Sequence, residues 1–137
     1  MLRDIRVPQT AERPVASPRR PRFVGELDTL IRARYPLVYL VSSEEGRVEE
    51  LLRGIASGHG KSLIGWSAVR GLHRLDETRG VALPTETEEP YAALQALRGL
   101  QEPALVVLKD LHAWLDDRRL VRALRELGQS LKSSYTT

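Results

Sequence analysis

The sequence predicts an α/β domain of three layers, a mostly parallel sheet of three or more strands flanked by helices. Three observations carry that expectation. The runs Pro36–Val41 and Ala104–Leu108 are apolar without a polar break, as strands covered on both faces are. Between such runs, apolar residues recur at three- and four-residue spacing, the period of a helix with one buried face. The two patterns alternate along the chain, which suits parallel strands joined by right-handed helical crossovers.

Each element can be justified in turn. Residues 1–22 hold six arginines (Arg3, Arg6, Arg13, Arg19, Arg20, Arg22) and four of the eight prolines, with few large apolar side chains. They are expected to be a flexible basic leader. Phe23, Leu27, Leu30 and Ile31 share one helical face, so residues 23–34 are a first helix, stopped at Tyr35-Pro36 because proline disfavours the helical conformation in the residue before it. Pro36–Val41 is the first strand. Ser42 and Glu45 have capping-box spacing ahead of a helix carrying Val48, Leu51, Leu52 and Ile55, which breaks at Gly58-His59-Gly60. Ser62–Trp66 follows as a strand and Asp76–Pro84 as a loop or hairpin. Residues 88–100 are a helix with Pro90 in its first turn. Ala104–Leu108 is the next strand. Asp116 and Asp117 open a last helix with the stripe Leu120, Leu124, Leu127 and Leu131, ending near Lys132. Another strand is due after it, so residues 23–137 are expected to form a domain incomplete at its C-terminus.

Composition narrows the chemistry. A chain of 137 residues that is 42% hydrophobic supports one core. No apolar run approaches the roughly 20 residues that span a bilayer. With no cysteine there is no disulfide, thiolate metal site or cysteine nucleophile, and a cytoplasmic location is expected. The net charge of +3 resides in the leader, which alone carries +4, leaving the body at −1. A body without basic excess is not expected to bind nucleic acid.

The motif that invites attention is Gly60-Lys61-Ser62. It matches the end of a phosphate-binding loop, Gly-x-x-x-x-Gly-Lys-Ser/Thr, but Ile55 stands where the first glycine belongs. Such a loop must follow a strand and open a helix, so that amide N–H groups meet the anion. Here it closes a helix and leads into a strand, which suits a glycine C-cap instead. Asp110, at the end of an apolar strand, resembles the magnesium-binding acid of an ATPase, although Lys109 breaks the run and Leu111 stands where the water-activating glutamate belongs. Gly60, Lys61 and Ser62 with Asp110 form the alternative, nucleotide-binding reading. His59, His73 and His112 fall in separate loops without metal-ligand spacing, so no metal site is expected. Ser42 and Ser43 lack a nucleophile elbow and suit helix caps. Trp66 and Trp114 are expected to be packing residues.

Several segments together resemble a known family. They are Ala33–Val41 with Glu44 and Glu45, then Trp66-Ser67 with Arg70-Gly71-Leu72, then Leu108–His112. In order and spacing they are similar to the N-terminal region of a family of AAA-type ATPases found in bacteria, cyanobacteria and some algal plastid genomes, over roughly residues 23–134. The resemblance implies a degenerate RecA-like domain without a working nucleotide site. ATP and Mg would be bound by a downstream AAA module of the same protein, and this chain would hold no cofactor of its own. The expectation is therefore a non-catalytic domain serving partner contact or oligomer assembly, with that module, an unidentified protein or further copies as partners, and, from the short apolar runs, no membrane. Arg70, Asp110 and His112, expected at the C-terminal ends of strands, are the candidate contact residues.

Overall fold

The computed structural model describes residues 2–6, 22–76 and 82–131. In chain order the elements are β1 (Leu2–Arg6), α1 (Arg22–Arg32), β2 (Leu37–Val41), α2 (Glu45–Gly58), β3 (Ser62–Ser67), β4 (Gly71–Arg74), α3 (Pro90–Arg98), β5 (Ala104–Leu108), a 3₁₀ turn (Leu111–Trp114) and α4 (Arg118–Leu131). The strands fall into two sheets. One is the parallel pair β1–β2, and the other has the order β4–β3–β5, with β5 parallel and β4 antiparallel to β3.

Successive side chains of a strand point to opposite faces, and here they divide the core in two. Leu63 of β3 and Leu105 of β5 pack with α1 and α2. Their neighbours Ile64, Trp66 and Ala104 pack with α3 and α4. The result is three layers, helices α1 and α2 on one face and α3 and α4 on the other, as the alternation of apolar patterns requires.

Helix ends follow local chemistry. At the end of α1, the Tyr35 N–H donates to the Leu30 carbonyl and the Arg34 N–H to that of Ile31, with Arg34 at φ 59°. That is a Schellman closure, formed here on a non-glycine residue against the usual preference. At the start of α4, Asp117 Oδ1 accepts from the amides of Arg119 (2.9 Å) and Leu120 (3.4 Å), relieving two of the helix's orphan donors. The helix runs to Leu131; Lys132 lies outside the described residues.

Several expectations need correction. Leu2–Arg6 are not leader: they pair in register with Leu37–Val41, and Ile5 is 2% exposed. One buried isoleucine and five residues paired in register with β2 outweigh the basic composition around them. Residues 7–21 of the expected leader lie outside the described residues. The capping box does not form. Glu44 is the N-cap of α2 without a side-chain bond, and Ser42 Oγ accepts instead from the Glu44 N–H at 3.0 Å. Gly71–Arg74, expected as loop, is a strand hairpinned onto β3, so His73 lies on a strand. Trp114 is no packing residue: at 43% exposure it stands on the 3₁₀ turn. The described ends of the expected loop, Asp76 and 82–84, carry neither helix nor strand, and 77–81 lie outside the described residues. No described helix is long and apolar enough to cross a membrane.

Candidate functional site

The parallel register of β3 and β5 places Trp66 beside Leu108, so the segments that leave these strands emerge on one edge of the sheet. Three expected contact residues lie there. Arg70 is in the β3–β4 turn, its N–H donating to Ser67 Oγ at 3.2 Å. Asp110 leaves β5 at φ 56° and heads the 3₁₀ turn that carries His112. All three are exposed, and no ion pair among the described residues joins them to one another. Exposed apolar side chains stand beside them in sequence: Val69 is 87% exposed, Trp114 43% and Leu115 41%. This edge therefore presents charged groups together with uncovered apolar area.

Sequence reasoning missed the residue that organises this edge. Lys109 does more than break an apolar run. Its Nζ lies 2.9 Å from Glu45 Oε1 and 3.1 Å from Glu49 Oε2, two acids one turn apart on α2. The bond to Glu45 comes first among the causes that raise the ammonium pKa, against the opposing effect of burial. The link ties the end of β5 to the first turns of the helix that follows β2. The legible signal was the Glu45/Glu49 spacing, which puts both carboxylates on one helical face.

The phosphate-loop look-alike lies at the opposite edge. The Gly60 N–H donates to the Ser57 carbonyl at 3.1 Å and the Lys61 N–H to that of Ala56 at 2.8 Å, with Gly60 at φ 65°. This pair of bonds is a Schellman motif, and it commits to helix carbonyls the very amides that would wrap a phosphate. Ser62 Oγ donates to Glu102 Oε2 at 2.6 Å, and Glu102 in turn receives Arg74, with Asp76 nearby accepting from the Leu63 N–H at 2.7 Å. An anion would meet carboxylates here. Hydrogen bonds from Arg74 chiefly, then Ser62, hold the Glu102 carboxyl below its ordinary pKa. Burial, and then Arg34, lower that of Lys61. Ser62 opens β3 opposite Ala104, whereas Asp110 follows the far end of β5, so a strand length of roughly 15 Å separates them. Gly60, Lys61, Ser62 and Asp110 are not brought together, and the residues present do not fit a nucleotide with its magnesium.

The histidines are likewise apart. His59 Nε2 bonds Asp28 at 2.6 Å, His73 Nδ1 lies 2.8 Å from the Gly71 carbonyl oxygen, and His112 is on the other edge. Among the described residues no group of three acids or histidines could hold a metal. Trp66 is fully buried, its Nε1–H donating to the Thr87 carbonyl at 2.6 Å, as a packing residue should.

Comparisons with known proteins agree with the segments noted above. Residues 23–137 match the family described as SpoVK-like AAA ATPase, N-terminal domain. The chain is 33% identical over 118 residues to an uncharacterized AAA domain-containing protein ycf46 of Guillardia theta, covering 84% of this chain and 22% of that protein. A protein of the same name from Trieres chinensis is 33% identical over 114 residues, with coverage of 81% and 22%. One from Pyropia yezoensis is 26% identical over 114 residues. The chain thus spans about a fifth of the length of these curated relatives. No solved structure matches. The matched segment takes in every described helix, α1 from its second residue, and every described strand but β1, and the chain belongs to the family of SpoVK-like AAA ATPase N-terminal domains.

Proposed function

We propose that this chain is a non-catalytic front domain of an AAA-type ATPase, a degenerate RecA-like unit in the cytoplasm that serves partner contact or oligomer assembly while a downstream AAA module binds and hydrolyses ATP. The observation that carries this reading is the Schellman closure at Gly60, which occupies the amides a nucleotide would need. Family membership and the greater length of the relatives support the division of labour. Contact is assigned to the edge bearing Arg70, Asp110 and His112, where charge and exposed apolar area coincide.

Two measurements test it. Titration of the chain with ATP and magnesium should give no micromolar binding, and Lys61→Ala should leave the titration unchanged. Micromolar affinity lost in Lys61→Ala would overturn the non-catalytic reading. In the full-length gene product, Arg70→Glu with Asp110→Arg should weaken assembly or partner capture by about tenfold while the domain keeps its thermal transition. Unaltered assembly and capture would remove the contact role from this edge.

A further inference from the structure

β2 and β5 face each other across an open slot. Among the described residues, β2 is paired only with β1 and β5 only with β3. The space between them is a cavity of about 410 Å³. Its walls are apolar, with Val38 and Leu40 on one strand, Val107 on the other, Leu52 from the α2 layer, and Leu124 and Leu127 from α4, while Glu45, Glu49, Lys109 and Asp110 line its end at the strands' C-termini. Two free strand edges and two helical layers around an apolar gap are what remains when one strand is taken out of a covered sheet. The state of β2 agrees. Its run Leu37–Val41 has the composition of a strand buried on both faces, yet no residue in it is fully buried, and Tyr39 and Val41 are exposed.

Direction and hand say what fits. The Lys109 link to Glu45 and Glu49 joins the segment that leaves β5 to the helix that leaves β2. The C-terminal ends of both strands therefore lie on one edge, and the two are parallel. From β3 the chain passes through β4 and α3 to β5, moving one place toward β2. After β5 it enters α4, which packs beside α3 on the same face. Crossovers between parallel strands keep a right hand in nearly all cases. A second crossover on the same face therefore moves the chain one place further in the same direction, off the free edge of β5. That place is the slot.

We infer that the slot is the seat of a sixth strand, supplied by the polypeptide that follows α4 and running parallel between β2 and β5. It turns the two sheets into one, in the order β1–β2–β6–β5–β4 with β3 between β5 and β4. The occupant is a short apolar run, since the walls it meets from both helical layers are apolar, and it covers the free backbone groups of both neighbours. The inference stands apart from the proposed function: it would hold whatever the domain contacts.

Residue-resolved hydrogen exchange on the full-length gene product tests occupancy. A strand bonded on one side protects alternate amides, and one bonded on both sides protects all of them. All amides of Leu37–Val41 and Ala104–Leu108 should exchange at least tenfold more slowly than in unpaired chain. Protection of alternate residues only would overturn the inference. Carrying Leu40 as photo-leucine in the same protein, with labelled and unlabelled copies mixed, identifies the occupant. Adducts to residues after Leu131 of the same molecule are expected. Adducts to a second copy, or none beyond Leu131, would assign the slot otherwise and refute the proposal.

Discussion

Strands β2 and β3 are nearly alike as sequence and unlike in the folded chain. Each is a short apolar run preceded by a helix end and followed by a turn. In β3, Leu63, Ile64 and Trp66 have no exposed surface at all, both edges are paired, and helices cover both faces. In β2, one edge is paired, the other opens on the slot, and Tyr39 and Val41 stand 38% and 39% exposed. Apolar composition states what a strand can bury. Whether it is buried depends on neighbours that arrive from elsewhere in the chain.

The sharpest way to press that contrast is to truncate one side chain in each strand. Trp66→Ala should cost about 3–5 kcal/mol by chemical denaturation, because it removes the largest fully buried side chain and leaves a cavity. Tyr39→Ala should cost less than about 1 kcal/mol in this chain. Equal losses would mean that β2 is as well covered as β3.

Gly71→Ala comes next, at about 2 kcal/mol in the same assay. The residue sits at φ +65°, and an added Cβ would lie 2.6 Å from Thr87 Oγ1, the atom that accepts the Leu72 N–H. A neutral result would show that the β3–β4 hairpin yields as readily as the slot edge.

Glu102→Gln should lower stability at neutral pH by about 1–2 kcal/mol, since it weakens charged hydrogen bonds with Arg74 and Ser62. It also carries a pH signature. The folded carboxyl titrates below its unfolded value, so its contribution is present above the unfolded carboxylate pKa and is lost as pH falls through the folded one. Acid denaturation followed by circular dichroism should therefore show a shallower stability loss in the variant than in the parent.

The smallest effect belongs to the other edge. Lys109→Met should cost about 1 kcal/mol or less, because Glu45, one of its two partners, is largely solvated. Its readout is local: faster hydrogen exchange in the first turns of α2, with the β3 ladder unaffected.

Much of this architecture was legible before any coordinates. Helix faces such as Leu120, Leu124, Leu127 and Leu131 followed from a period, and a stop to α1 ahead of Pro36 from the stiffness of proline, although the helix itself closes at Arg32. Gly60 as a C-cap followed from its position after an amphipathic helix. The candidate site was legible only in part. Arg70, Asp110 and His112 follow the C-terminal ends of β3 and β5 as expected, whereas Lys109 was read as a blemish in a strand, because its partner Glu49 lies sixty residues away on α2. Leu2–Arg6 was missed because three of its five residues are charged, and Gly71–Arg74 because it has only four residues and two of them are polar. Their strand state rests on ladder bonds to a partner.

Periodicity, capping chemistry and backbone restriction act within a few residues, and for that reason the amino-acid order alone settled where the helices lie, to within a few residues at their ends, and why the Gly60 loop meets helix carbonyls. The pairing of strands, the sharing of Leu63 and Ile64 between two cores, the Lys109 link and the gap between β2 and β5 arise between segments distant in the chain. Those contacts depend on which edges and faces are brought together, and only the assembled fold specifies that.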